Sequence, residues 1–285
     1  MNPDVHAFFH EDTSSVSYLV LDPRTHAAAV IDPVLDFDPG SGRLKRTSVS
    51  ALLDRADALG AKIQWILETH VHADHLSGVQ AVKARTDAPV VIGARVGAVQ
   101  DVFAPRFLAN DVRPDLFDRL VADGDELPLG ALTIKVMDTP GHTGACVSYL
   151  VGDAAFTGDT LFMPDYGTAR TDFPGGDAAT LYRTIRKILS LPPQTRIFVG
   201  HDYKTPGRET FAWETTVAEQ RAHNVAINET IDEASFVAAR KARDDALAPP
   251  RLLLPALQVN IRAGRLPPPD GDGVIRLRIP VTDRG

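Results

Sequence analysis

The residues with the clearest capacity for chemistry form one short run, His70-Val71-His72-Ala73-Asp74-His75. This run places four side chains that can bind a metal within six positions. On a helix such close neighbours would not share a face, because side chains meet at offsets of three and four. On a turn that leaves a strand, the same side chains can surround a small volume. Imidazole and carboxylate suit zinc, iron or manganese, and the lack of thiols argues against a closed structural zinc site.

Similar residues follow three further apolar segments that are typical of strands. Residues 132–141 lead into His142, residues 154–158 into Asp159 and residues 196–200 into His201, just as residues 62–69 lead into His70. The carboxyl ends of strands line the crevice where ligands bind in open α/β sheets. The pattern therefore predicts that side chains distant in sequence converge on one metal site.

The remaining elements are predicted from apolar periodicity and turn residues. Strands at 15–22 and 27–32 should form a hairpin, and residues 36–46 should form a loop. Helices are predicted at 48–59, 76–86, 94–103 and 177–191, and residues 214–247 look helical.

Composition and charge exclude several classes of protein. The 285 residues have a formal net charge of -7, which disfavours binding to nucleic acid and to anionic membranes. No apolar run approaches the roughly 18 residues of a membrane span, and the acidic amino terminus does not resemble a signal peptide. The single cysteine, Cys146, cannot form an internal disulfide and opens an apolar run, so we expect it in the core. We expect a cytoplasmic protein.

We predict one domain over residues 1–285, with a C-terminal extension from about residue 248. The extension carries seven prolines, the apolar run 252–254 and one possible edge strand at 274–279. A proline-rich extension must pack against some surface, and a homodimer is one way to provide it.

Four segments resemble the metallo-β-lactamase superfamily. Residues 70–75 match its His-x-His-x-Asp-His signature, and residues 140–143, 158–160 and 200–202 match its other ligand segments. The resemblance implies an α+β fold, the αββα sandwich, in which two sheets lie face to face with helices outside and the site at one edge.

Within this superfamily the ligand set allows two interpretations. A hydrolase similar to glyoxalase II would hold two metal ions and attack a thioester or lactam carbonyl with a metal-bound hydroxide. His70, His72 and His142 would bind one ion, Asp74, His75 and His201 the other, and Asp159 would bridge them. In the oxygenase interpretation His70, His142 and Asp159 hold one Fe(II) per chain. His72, Asp74, His75 and His201 would then serve catalysis by orienting ligands and water.

The surrounding segments resemble the persulfide dioxygenases. These are Arg170-x-Asp172-Phe173, the stretch from Gly200 to Lys204, and residues 254–268. This resemblance implies oxidation of glutathione persulfide by O₂ to sulfite and glutathione. Because glutathione carries two carboxylates, its pocket needs donors. We expect these from Arg170, Tyr203, Lys204 and Arg208, with an internal ion pair of Arg170 to Asp165 or Asp172 as the competing interpretation. A non-enzymatic sulfur-sensing or scaffold protein would need an occluded or empty metal site.

Overall fold

The computed structural model describes residues 1–281, so the last four residues of the predicted domain lie outside the described part. Within that range the strands are β1 Asp4–His10, β2 Ser15–Leu21, β3 Ala27–Ile31, β4 Val34–Asp38, β5 Arg43–Lys45, β6 Lys62–Leu67, β7 Leu76–Ser77, β8 Val90–Gly93, β9 Arg119–Val121, β10 Glu126–Leu129, β11 Leu132–Asp138, β12 Val147–Val151, β13 Ala154–Phe156, β14 Arg196–Phe198 and β15 Glu214–Thr216. The α-helices are α1 Thr47–Ala58, α2 Val79–Thr86, α3 Val96–Phe103, α4 Ala178–Leu189, α5 Val217–His223, α6 Glu233–Asp244 and α7 Leu253–Asn260. The division into a single domain stays a prediction.

Most strands belong to two six-stranded sheets. The first has the order β1-β2-β3-β6-β8-β9 and the second the order β10-β11-β12-β13-β14-β15. A small third sheet, β5-β4-β7, lies beside them. In the second sheet β12 is antiparallel to β11 and to β13, and β13 is parallel to β14. Strands β11, β13 and β14 therefore run in one direction and end at one edge.

The hydrophobic core has three main layers, with a smaller fourth cluster around Leu76 and α7. Side chains of both large sheets meet between them, including Tyr18, Tyr149 and Phe156. A second cluster packs the outer face of the first sheet against α1, α2 and α3, and a third packs the outer face of the second sheet against α4 and α6. Because β2 is covered on both faces, all seven of its residues are buried, which explains its nearly continuous apolar sequence. This arrangement confirms the αββα sandwich.

Several predicted elements are confirmed within one to three residues. The β2–β3 hairpin forms as expected, and α1 buries one face through Val49, Leu52, Leu53 and Ala56. Helix α4 begins after Asp177, whose side chain accepts a hydrogen bond from the Thr180 amide at 2.7 Å. Cys146 is buried, as expected, at 3% exposure. No helix among residues 1–281 is long and apolar enough to cross a membrane.

Three predictions were wrong in whole or in part. Residues 214–247 are helical only in α5 and α6, because residues 214–216 form β15 and residues 224–232 are not helical. Residues 36–46 are not a plain loop, because β4 and β5 pair there as a hairpin and residues 39–42 make the turn. No strand forms at residues 274–279 in the described chain; the extension instead contributes helix α7. Its Pro255 lies in the first helical turn, where a missing N–H costs no intrahelical bond.

Candidate metal centre

The predicted convergence of strand ends is present. His70 follows β6 of the first sheet, and His142, Asp159 and His201 follow β11, β13 and β14 of the second. Glycines permit the close approach, since a Cβ on Gly200 would lie 2.6 Å from Asp159 Oδ1. The two sheets thus deliver these side chains to one edge of the sandwich.

His70, His142 and Asp159 form one buried cluster whose possible ligand atoms lie within 4.8 Å of one another. The Nε2 atoms of His70 and His142 each lie 3.9 Å from Asp159 Oδ2. Two imidazoles and one carboxylate at this spacing can share a cation. This is the set expected to hold a single iron.

Asp74, His75 and His201 lie directly beside that cluster. His201 Nε2 is 3.4 Å from Asp74 Oδ2 and 3.4 Å from Asp159 Oδ1. Asp74 Oδ2 also contacts His75 Nδ1 at 2.8 Å and accepts a hydrogen bond from the Ser15 hydroxyl at 3.0 Å. Asp159 therefore faces both groups, so the arrangement offers ligands for one metal ion or for two.

Hydrogen bonds at one ring nitrogen orient the histidines. His142 Nδ1 donates to Arg170 O at 2.8 Å, and His201 Nδ1 donates to Ser14 O at 3.1 Å. The Thr69 hydroxyl donates to Asp32 at 2.7 Å and lies 3.0 Å from His70 Nδ1. Because the Thr69 proton is used by Asp32, the hydroxyl oxygen accepts from His70. Each Nε2 is thereby left with its lone pair, the form that binds a metal.

His72 points its Nε2 at two buried carboxylates. It lies 3.1 Å from Asp32 Oδ1 and 3.2 Å from Glu68 Oε2. Burial alone would lower the pKa of His72, but Asp32 and Glu68 raise it well above its usual range. Burial raises the pKa of Glu68 to about 7 despite the opposing effect of His72. These contacts leave Nδ1 of His72 facing away from the carboxylates.

The buried polar atoms of the centre that lack a hydrogen-bond partner fit a bound cation. Among residues 1–281, buried atoms without a hydrogen-bond partner include His70 Nε2, His72 Nδ1, His75 Nε2 and Asp159 Oδ1. Buried polar groups without partners destabilise a fold by about 1–3 kcal/mol each, so their concentration here needs a compensating ligand. Burial and the nearby His72 also hold the pKa of His70 well below its usual range, which keeps the imidazole neutral. A cation bound in this centre would give His70 Nε2 and Asp159 Oδ1 the partner that they lack.

A cavity of about 350 Å³ opens onto the cluster. Its lining includes Asp74, His142 and Asp159 at the base and aromatic walls from Phe162, Tyr166 and Phe173. Four arginines, Arg170, Arg240, Arg243 and Arg251, line the same cavity. Its size falls in the range of small-molecule pockets, roughly 300–1,000 Å³.

The four residues predicted to bind substrate divide into two pairs. Tyr203 and Arg170 line the cavity. Tyr203 stacks on His201 with 5.3 Å between ring centroids, and Arg170 is paired with Asp172 at 2.6 Å. The ion pair weighed against substrate contact for Arg170 is therefore present.

Lys204 and Arg208 are not among the residues that line this cavity, so their contact with substrate stays a prediction. Lys204 Nζ lies 4.0 Å from the centre of the Phe211 ring. The Arg208 guanidinium is shared between Asp165 at 2.7 Å and Asp202 at 2.5 Å. Asp202 is buried, and an unpaired buried charge is costly. Asp202 therefore holds the Arg208 guanidinium more strongly than a substrate carboxylate would.

Several residues of the centre were missed from the sequence. Asp32 directly follows β3, so it shows the same strand-end position as the predicted ligands. Arg240 and Arg243 lie on α6 with the spacing of three that places residues on one helical face. Glu68 directly follows β6 and so shows the strand-end position as well. Asn260 had no comparable signal, because its contacts depend on packing between distant segments.

The chain belongs to the metallo-beta-lactamase superfamily, which residues 11–201 match. It is 51% identical over 290 aligned positions to a probable metallo-hydrolase of Burkholderia pseudomallei, covering 97% of this chain and 98% of that protein. It is 48% identical to a beta-lactamase hydrolase-like protein of Xylella fastidiosa, covering 98% of this chain and 65% of the relative. The chain thus spans just under two thirds of that longer protein.

Other relatives carry more specific names. The mouse mitochondrial persulfide dioxygenase is 29% identical and covers 92% of this chain and 89% of its own length. The hydroxyacylglutathione hydrolase of Rhodospirillum rubrum is 33% identical and covers 66% of this chain and 62% of its own. Among solved structures, ETHE1 from Myxococcus xanthus superposes with a TM-score of 0.74 at 31% identity, covering 92% of this chain and all of that one. The class is therefore a metal-dependent enzyme of this superfamily.

Proposed function

We propose that this protein is a glutathione-dependent persulfide dioxygenase with one Fe(II) held by His70, His142 and Asp159. Glutathione persulfide, O₂ and water give glutathione and sulfite. The terminal sulfur takes both atoms of O₂ and one oxygen from water, and its bond to the inner sulfur breaks.

The contact between the segment 170–173 and His142 carries this proposal. Arg170 O accepts the Nδ1 proton of His142, and the Phe173 ring meets the His142 ring edge-on at 5.4 Å. The side chains of Arg170 and Asp172 are joined to each other. The Arg-x-Asp-Phe stretch, which resembles persulfide dioxygenases, thus orients a ligand of the metal.

The extent of similarity does not by itself separate the two candidates. The match to the mouse persulfide dioxygenase includes 92% of the chain, but the match to the human enzyme includes 68%, close to the 66% matched by the hydroxyacylglutathione hydrolase. A glyoxylase B2 of Dictyostelium discoideum is 39% identical over 97% of the chain. The choice therefore depends on the contacts of residues 170–173 with His142.

The cavity suits a peptide-like anion with a small reactive end. Arg243 is exposed and its guanidinium donates to Tyr166 O at 3.2 Å, which leaves other N–H groups for a ligand. Arg251 is also exposed at the cavity wall. These two cations can meet the carboxylates of glutathione while its sulfur end reaches the metal cluster.

When bound, Fe(II) supplies the one-electron chemistry that O₂ needs to oxidise a sulfur atom. The protein side chains bind and orient. Phe162, Tyr166 and Phe173 exclude bulk water around the sulfur, and Asp74 with His201 can hold a water molecule beside Asp159.

The proposal is tested by following sulfite and O₂ together. Purified protein loaded with Fe(II) should consume O₂ and form sulfite from glutathione persulfide in a one-to-one ratio. The same mixture without O₂ should form none. Equal sulfite with and without O₂ would contradict the proposal.

A hydrolase similar to glyoxalase II is the second candidate, and one observation favours it. Asp74 and His201 form a group with Asp159 whose possible ligand atoms lie within 4.8 Å of one another, and His75 contacts Asp74, so these residues could bind a second ion. Protein loaded with zinc is therefore assayed with S-lactoylglutathione. Rapid hydrolysis by a form with two zinc ions, together with no sulfite from the iron form, would favour the hydrolase.

Arg243→Ala should raise the KM for glutathione persulfide about tenfold and change kcat little. A charge-assisted hydrogen bond to a substrate carboxylate contributes roughly 1.5–3 kcal/mol, and the group lies away from the reacting sulfur. Arg183→Ala is the control, because Arg183 pairs with Glu233 on the outer surface. An unchanged KM in Arg243→Ala would remove Arg243 from the binding surface.

A further inference from the structure

The loop that carries His72, Asp74 and His75 has little regular structure of its own. It leaves β6 and stays irregular until the two-residue strand β7. His72 and His75 are buried, at 2% and 1% exposure, so their backbone carbonyls need donors from the protein. The position of these carbonyls also fixes where the two imidazoles point.

One side chain of the C-terminal extension meets both carbonyls. Asn260 Nδ2 donates to His72 O and to His75 O, each at 2.8 Å. Its Oδ1 accepts from the amide of Ser77 at 2.8 Å. Asn260 is itself buried at 4% exposure, and between 183 and 188 positions separate it from these partners.

The surrounding segment holds Asn260 in place. Helix α7 packs Ala256 and Val259 against Leu76 at the end of the loop. Beyond Asn260, Ile261 O accepts from Gln100 at 2.9 Å and Ala263 O accepts from Gln80 at 2.7 Å. The amide is thus fixed from both sides before it contacts the loop.

We propose that Asn260 is a positioning residue for the metal centre, acting through the backbone of the loop that carries His72, Asp74 and His75. Its carboxamide has the two donors and one acceptor that the three backbone groups require. Aspartate has the same shape but no N–H, so it would turn an anionic oxygen toward two carbonyls. The C-terminal extension therefore completes the metal site, although it lies outside residues 11–201 that match the superfamily.

The test measures metal binding directly. Apoprotein carrying Asn260→Asp is titrated with Co²⁺ against a chromophoric chelator, and the visible spectrum of the Co²⁺ form is recorded. His70, a ligand of the proposed iron, lies on the same segment between β6 and β7. Groups that orient metal ligands typically change metal affinity by about 10–100-fold, so we expect a loss in that range and an altered spectrum. Unfolding of each apoprotein by denaturant is measured in parallel.

Gln258→Ala is the matched control. Gln258 is a buried amide on the same helix, but its side chain bonds Leu254 O and the backbone of Arg278. It should lower stability without changing Co²⁺ affinity or spectrum. If Asn260→Asp does not fold, Asn260→Ser is measured in its place, with the same interpretation.

Unchanged Co²⁺ affinity and spectrum in the folded Asn260 variant would overturn the proposal. Equal losses of affinity in the Asn260 and Gln258 variants would also overturn it, because they would reflect general destabilisation. The proposal rests on the metal centre of the proposed function and not on its substrate. Failure of the unaltered protein to form sulfite would therefore leave the role of Asn260 standing.

Discussion

Asp159→Asn is expected to purify as a folded protein with less than about a tenth of the iron bound by the unaltered chain. Asp159 is the one anionic group in the cluster with His70 and His142, and its two oxygens face the possible ligands on both sides. An amide keeps the shape but removes the charge that offsets a divalent cation. Metal content after dialysis, measured by mass spectrometry, gives the result.

Asp22→Asn is the control for this experiment. Asp22 is a buried carboxylate that directly follows β2. It lies away from the metal cluster, because Ser15, which contacts Asp74, is at the other end of β2. Burial alone would raise its pKa, but hydrogen bonds from Thr25, Ala131 and Arg24 lower it to about 2. This variant should lose stability and keep its iron. Full iron occupancy in Asp159→Asn would mean that Asp159 is not a ligand of the iron.

His201→Ala is expected to keep one iron per chain while kcat falls roughly 100-fold, as for other groups that orient ligands around a metal. His201 lies outside the cluster of His70, His142 and Asp159 but contacts both Asp74 and Asp159. Without the His201 imidazole, the site loses one group that can hold a water molecule beside Asp159, and the Tyr203 ring loses the ring on which it stacks. Iron content and steady-state kinetics are measured on the same preparation.

His142→Ala provides the comparison, because it should lose both iron and activity.

Under the alternative with two ions, His201 is a ligand. In that case, protein loaded with excess zinc would bind two ions per unaltered chain and fewer in His201→Ala. That pattern, with activity on S-lactoylglutathione, would contradict the mononuclear assignment.

The sequence predicts the metal cluster well because its members share a local context. His70, His142, Asp159 and His201 each come soon after a strand, and strand ends gather at a sheet edge whatever the details of packing. Asp32 has the same context. It was overlooked because a single carboxylate after a strand is also typical of an ordinary turn.

The substrate cavity could not be predicted to the same degree. Arg208 and Arg243 have the same charge, yet Arg208 pairs with Asp165 and Asp202 while Arg243 lines the cavity. Which of the two arginines lines the cavity depends on how α6 packs beside the site. The contacts of Asn260 depend likewise on α7 meeting a loop more than 180 positions earlier.

X-ray diffraction at the iron absorption edge, from crystals grown with excess Fe(II), tests the central claim most directly. We expect one anomalous peak per chain, within bonding distance of His70 Nε2, His142 Nε2 and a carboxylate oxygen of Asp159. A second peak between Asp74, His75 and His201, or a single peak away from those three atoms, would contradict the account.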